Sequence, residues 1–144
     1  MDVGQIMSAK PFTIAADAPL DDAMRLMDDH DVRHLPVTRD GGLIGVVSDR
    51  DLVAATGWLP SSTRTSDGPQ QVGDLVRAKA VTATPDDSVV MMAVDMVSRE
   101  IGCLPVLQGS ELVGIVTEMD LLEAYLGICD EDSESLELHR GFIE

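Results

Sequence analysis

Sliding the chain by 69 residues lays one half on the other without a gap. Leu35-Pro36-Val37 falls on Leu104-Pro105-Val106, Leu43 to Ser48 on Leu112 to Thr117, Asp51-Leu52 on Asp120-Leu121, and Val3-Gly4 on Val72-Gly73. Over positions 3–55 there are 16 identities in 53 pairs, and most other pairs are conservative. No other feature constrains the fold so strongly, because whatever one copy forms the other must also form. A unit of about 55 residues is marginal alone, so the expectation is that the copies pack sheet to sheet around a shared core.

Each copy carries the same pattern of elements. A short apolar stretch (Phe12-Thr13-Ile14; Val81-Thr82-Ala83) is long enough for a brief strand. Next, Leu20, Ala23, Met24 and Met27 recur at the spacing of one buried helix face, and Val89, Met92, Ala93 and Met96 repeat the stripe. Pro19 suits the first turn, and Asp21 and Asp22 suit the positive end of the helix dipole. Two short strands follow, Leu35 to Val37 and Leu43 to Val47, joined through Asp40-Gly41-Gly42. Ser48 or Thr117 then opens a second helix, expected over Asp51 to Ala55 and Asp120 to Leu126. The fold class is α/β, with β-α-β-β-α written twice. The division predicted is 1–56 for the first motif, 57–71 for a linker rich in Ser, Thr, Gly and Pro, 72–126 for the second motif, and 127–144 for an acidic tail. That tail, with six acids and one Arg from Cys129 onward, is expected to fray or to form an acidic helix whose Leu136 and Leu138 touch a neighbour.

Charge narrows the function. The 144 residues hold 26 acids and 10 bases, a net charge of −16, and Lys10 and Lys79 are the only lysines. Nucleic-acid binding through phosphate contacts needs clustered cations that are not there, and an anionic membrane surface is disfavoured for the same reason. The longest apolar stretch, Val89 to Val94, is far shorter than the ~20 residues that span a bilayer, and Met1-Asp2 does not begin like a secretory signal. A cytoplasmic protein is expected. Cys103 and Cys129 are too few for a disulfide scaffold.

Each copy resembles a CBS (cystathionine-β-synthase-type) motif, and the whole chain resembles a stand-alone CBS pair. The segments carrying the resemblance are Val32 to Val37 with Gly45 to Asp51, and Ile101 to Val106 with Gly114 to Asp120. The resemblance implies a pseudo-two-fold pair with two clefts between the copies, in which AMP, ADP, ATP or S-adenosylmethionine binds. It further implies a module that regulates an unidentified partner protein, with no catalysis and no required cofactor, and commonly a disk-shaped homodimer.

The Ser/Thr-x-x-Asp element is the leading site candidate. By the resemblance, Asp51 and Asp120 accept hydrogen bonds from ribose hydroxyls, and Ser48 and Thr117 sit near phosphate. A carboxylate matches the two donors of a cis-diol, and a helix N-terminus with an adjacent hydroxyl suits an anion. The same pattern is also a helix capping box, in which the acid reaches back to the cap amide, and the two roles can coexist. Arg33, His34 and Arg50 in the first copy have no basic counterparts at Gly102, Cys103 and Met119. They are read either as balancing phosphate charge or as solvated rim residues. If they balance charge, a phosphorylated ligand prefers one cleft, with Asp51 on its ribose. The resemblance also implies that Thr13 and Thr82 lie near adenine, with Ile14 and Ala83, Val32 and Ile101, and Val37 and Val106 as apolar walls, unless these residues serve only the sheets. Pro36 and Pro105 of the Leu-Pro-Val segments are counted among the ligand-binding residues. Lys10 and Lys79 stand at equivalent places before the first strand, as cleft-mouth cations or ordinary surface residues.

Other chemistry has little support. His34 and Cys103 share a repeat position, but two soft ligands with no CxxC or HxxxH spacing do not make a metal site. No nucleophile elbow or P-loop occurs, and His30, His34 and His139 have no evident nucleophile partner. Two functions of different class remain: a sensor of adenosine-containing ligands, and a ligand-free dimerisation or scaffold module. A homodimer is expected through Leu52, Val53, Leu121, Leu122 and Tyr125 on the second helices.

Overall fold

The computed structural model describes residues 1–130, so the expectations for the acidic tail lie outside the described residues. The first copy forms α1 (Val3–Ile6), β1 (Ser8–Ala9), β2 (Ile14–Ala15), α2 (Leu20–His30), β3 (His34–Arg39), β4 (Gly42–Ser48) and α3 (Asp49–Thr56). The second opens on a 3-10 turn (Val72–Leu75) and continues with α4 (Val89–Arg99), β5 (Cys103–Gln108), β6 (Glu111–Thr117) and α5 (Glu118–Asp130).

Local chemistry accounts for most of these elements. The buried residues of α2 are Leu20, Ala23, Met24 and Met27, the predicted stripe; in α4 Met92 and Met96 are buried. Pro19 is the N-cap of α2 rather than a first-turn residue, and the helix stops at Asp31 in the left-handed region, as α4 stops at Glu100. Arg39 pairs with Gly42, leaving Asp40 (φ 52°) and Gly41 (φ 78°) as a two-residue hairpin loop. Two successive positive φ values are what the right-handed twist of the flanking strands selects.

The first strands depart from expectation. In the first copy the ladder covers Ile14–Ala15 instead of residues 12–14, and Phe12 instead stacks on His30 with ring centroids 3.8 Å apart. In the second copy only a parallel bridge between Ala83 and Val106 forms. The cause is one residue. The Ala16 amide donates to the Thr38 carbonyl at 2.8 Å, and the equivalent position holds Pro85, which has no N–H to continue the ladder.

The expected shared core is also corrected. Buried residues form two clusters: one built from α2, α3 and the β2-β3-β4 sheet, the other from α4, α5 and the β1-β6-β5 sheet. Each is completed by the opening segment of the other copy. Val3 is fully buried in the second cluster, its amide donates to the Asp87 carbonyl, and β1 pairs antiparallel with β6. Reciprocally, Val72 is fully buried in the first cluster and donates to the Ala18 carbonyl. This exchange explains the repeated glycines. A Cβ on Gly45 would collide with Val76, and one on Gly114 would collide with the Met7 sulfur, at positions again 69 residues apart.

Candidate functional site

Along β3 the side chains alternate. Leu35 and Val37 enter the core with α2 and α3, so His34 and Pro36 occupy the opposite face of the sheet. In β5 the same alternation sends Leu104 and Val106 to the helices and places Cys103 and Pro105 on the other face. Pro36 and Pro105 are nevertheless fully buried, so neither face looks onto solvent. Charges from both copies reach this region: Glu118 of the second copy acts on His34 of the first.

Register then gathers the candidates. His34 pairs with Ser48, and Cys103 with Thr117. The Asp49 amide donates to the Arg33 carbonyl at 2.9 Å, and the Glu118 amide to the Gly102 carbonyl at 3.0 Å, clamping the strand entry to the helix start. Thr13 stands one residue before β2, beside Pro36, and the Ala83 amide donates to the Pro105 carbonyl, placing Thr82 likewise. Each copy therefore assembles a Thr, a Pro, a Ser/Thr and an Asp along its sheet. Arg33 and Arg50 are exposed, while His34 is half-buried rather than a solvated rim residue.

Both Ser/Thr-x-x-Asp elements are capping boxes. The Asp51 amide donates to Ser48 Oγ at 3.1 Å while the Ser48 amide donates to Asp51 Oδ2 at 2.9 Å. The Thr117 amide donates to Asp120 Oδ2 at 2.8 Å, and the Asp120 amide to Thr117 Oγ1 at 3.5 Å. In both, the cap engages Oδ2. No donor among the described residues reaches Oδ1 of either carboxylate, which leaves a full acceptor oxygen at each helix start.

The electrostatics were only partly legible beforehand. Burial holds the His34 imidazole below its ordinary value of 6.5, against the opposing pull of Asp49, Glu118 and Asp51; Arg33 adds to the lowering. The sequence reading missed Asp49 and Glu118, although both copies place an acid directly after the Ser or Thr. His34 is neutral at neutral pH and adds no cation there. Burial pushes the Cys103 thiol up to about 12, so the free thiol stays protonated and is a poor nucleophile. Among the described residues no three His, Cys, Asp or Glu side chains gather to hold a metal ion. An open pocket of about 260 Å³ lies between Thr82, α4 and Leu104, and of the predicted site residues only Thr82 lines it.

The lowered His34 pKa sets a pH dependence. In the folded state this imidazole takes up its proton at lower pH than in the unfolded chain. Below about 6.5 the unfolded chain therefore binds more protons, and stability falls with pH until the folded value is passed. Asp21, held down by Ser61 and Arg64, and Asp74, held down by the Gln71 and Gln70 amides, act only below their ordinary 3.8. Tm is expected to fall as pH is taken from about 7.5 to about 5.5, and His34→Gln to flatten that decline. An unchanged profile in the variant rejects the assignment.

The chain matches known proteins over nearly its whole described length. The CBS domain model matches residues 3–56 and 72–127. A CBS domain-containing protein of Dictyostelium discoideum is 33% identical over 135 residues, covering 89% of this chain and 93% of that protein. The homoserine O-acetyltransferase of Methanococcoides burtonii is 29% identical over 121 residues, but that match covers 83% of this chain and only 23% of the enzyme. Among solved structures, CBSX2 in complex with AMP has a TM-score of 0.74 at 29% identity, covering 88% of this chain and 97% of that one. The CBS domain pair of protein MJ0100, in complex with 5′-methylthioadenosine and S-adenosyl-L-methionine, has a TM-score of 0.76 at 24% identity, covering 88% and 97%.

Proposed function

Because this chain belongs to the CBS domain family and carries the motif twice, we propose that it is a cytoplasmic sensor, acting as a homodimer. It binds an adenosine-containing ligand between the repeats and passes the binding state to a separate regulated protein. The observation that carries the reading is the pair of carboxylate oxygens, Asp51 Oδ1 and Asp120 Oδ1, that no donor among the described residues engages, at pseudo-equivalent helix starts. Ribose supplies a vicinal pair of hydroxyl donors for such an oxygen, and Ser48 and Thr117 lie beside it for phosphate. Thr13 with Pro36, and Thr82 with Pro105, border the adenine. Arg33 and Arg50 favour a phosphorylated ligand at the first motif's carboxylate; His34, neutral and faced by three carboxylates, lends shape rather than charge. The AMP bound by CBSX2 supports this ligand class. A ligand shifts such a module only through unequal affinity for two states of packing.

Thermal unfolding with AMP, ATP and S-adenosylmethionine tests the reading. A ligand at 100-fold above its Kd adds ~2.7 kcal/mol, a shift of several degrees in a protein of this size. No shift with any of the three leaves the ligand-free dimerisation or scaffold function in its place.

A further inference from the structure

We propose that the linker between the repeats holds a second binding site, for a small monocarboxylate, with Arg64 as the group that grips it.

The linker is not a free spacer. Thr56 Oγ1, buried at the end of α3, donates to the Leu52 carbonyl at 2.6 Å and accepts the Trp58 amide at 2.9 Å. That contact holds two successive residues in the left-handed region, Gly57 (φ 62°) and Trp58 (φ 62°). Trp58 packs on the first cluster, and the Ser61 amide then donates to Asp21 Oδ2 of α2 at 3.2 Å. Farther on, Gln70 Nε2 donates to the Ser66 and Gly68 carbonyls at 3.2 and 2.9 Å. Between this loop and the end of α3 lies a cavity of about 260 Å³, walled by Ala55, Leu59 and Pro69 and by Thr63, Arg64 and Thr65. Ser48 stands at the other end of α3, about 10 Å away along the helix axis, so the cavity is distinct from the ribose site.

Arg64 is the unusual residue of that wall. Among the described residues every other Lys and Arg is exposed, whereas the Arg64 side chain is only 16% exposed. Its hydrogen bonds all leave from one nitrogen: Nη1 donates to Asp21 Oδ1 at 2.7 Å and to the Leu59 carbonyl at 2.6 Å, with Met24 Sδ at 3.9 Å. Nε and Nη2 find no acceptor among the described residues. Neither is sealed off, since no partnerless side-chain nitrogen or oxygen there is buried. Nε and Nη2 together form an edge of the guanidinium that takes a carboxylate through two parallel bonds.

The surroundings narrow the ligand. Asp21 already pairs with this guanidinium, so a singly charged anion meets less repulsion than a dianionic phosphate. The cavity is smaller than the ~300–1,000 Å³ of pockets for drug-sized ligands, and Ala55, Leu59 and Pro69 suit a short aliphatic body. The second repeat has no equivalent anchor, because Val90 stands at the position of Asp21.

NMR of the nitrogen-15-labelled full chain, titrated at neutral pH with sodium propionate against sodium chloride at matched ionic strength, tests this. Propionate is expected to shift the Ala55, Thr63, Thr65 and Gly68 amides saturably, with a Kd of roughly 1–10 mM for so small a ligand. Ser48 and Asp51 should stay unmoved. Chloride, and propionamide as the same body without the charge, should give no saturable shift. Arg64→Lys keeps a cation facing Asp21 but loses the two-pronged edge, and should bind propionate about tenfold more weakly. The indole of Trp58, the single tryptophan, reports whether the loop keeps its place in that variant. Where the indole resonance moves, the contrast between propionate and propionamide in the parent decides. Linear shifts shared with chloride, or saturation by propionamide, overturn the site. Tighter binding of inorganic phosphate overturns the ligand class, and parental affinity in an Arg64→Lys chain with an unmoved indole overturns the role of Arg64.

Discussion

Val3→Asp is expected to destabilise the second repeat, and Val72→Asp the first, each by about 3–5 kcal/mol. Both valines are fully buried, and each sits in the core of the copy to which it does not belong in sequence. Each valine is enclosed by apolar side chains, so the new carboxylate is either stranded or expelled with its segment. Expulsion from the second core removes the hydrogen bonds that the Val3 amide donates to the Asp87 carbonyl and the Gly4 amide to the Pro85 carbonyl, and frees the strand edge against which β1 lies. A loss of this size is a large part of the 5–15 kcal/mol by which a domain is ordinarily stable. Urea unfolding measures the loss, and amide exchange locates it. Val3→Asp should raise exchange in β5 and β6 before β3 and β4, and Val72→Asp should do the reverse. Early exchange in the strands of the same sequence copy would show that the exchanged segments are not what completes each core.

The exchange also marks where reading from the sequence stops. Helix stripes, hairpin turns and capping boxes depend on residues a few positions apart, and the chain specifies them locally: Leu20 to Met27, Asp40-Gly41 and Ser48-x-x-Asp51 stand as read. Val3 and Val72 occupy equivalent positions, so docking on its own copy or on the other satisfies the same apolar pattern. Only the path of residues 7–13 and 76–82 decides. Leu52 illustrates a different limit. A helix of five residues shows too little periodicity to assign its faces, and the apolar pattern alone places Leu52 with Leu121 on the association surface. The helix begins at Asp49, Leu52 is fully buried in the first cluster, and Leu121 packs against the second, which leaves Val53, Leu122 and Tyr125 outside. The second copy's incomplete first strand was legible in retrospect, since Pro85 stands where Ala16 donates its amide.

Asp51→Ala and Asp120→Ala are expected to weaken the binding of AMP at their respective sites by roughly 10- to 100-fold, the loss for a hydrogen bond to a charged group. Each also removes half of a capping box, which destabilises by about 1 kcal/mol. The two effects must be separated, and the chain contains its own control. Asp74 Oδ2 accepts the Gln71 amide at 3.0 Å and the Gln70 amide at 3.1 Å, the same local service at the 3-10 turn. That turn lies near Arg39, at the hairpin end of β3, whereas His34 and Ser48 lie at the other end. Asp74→Ala should therefore cost similar stability and leave AMP affinity unchanged. Calorimetry on the three variants distinguishes the roles: capping alone predicts three variants with parental affinity, and ribose binding predicts two that lose it. The charge asymmetry adds a second contrast. Arg50 stands beside Asp51, where the second copy has Met119, so ATP should lose more affinity than adenosine when the first site is removed. Equal losses of ATP affinity in Asp51→Ala and Asp120→Ala would show that the cations of the first repeat do not discriminate between the clefts.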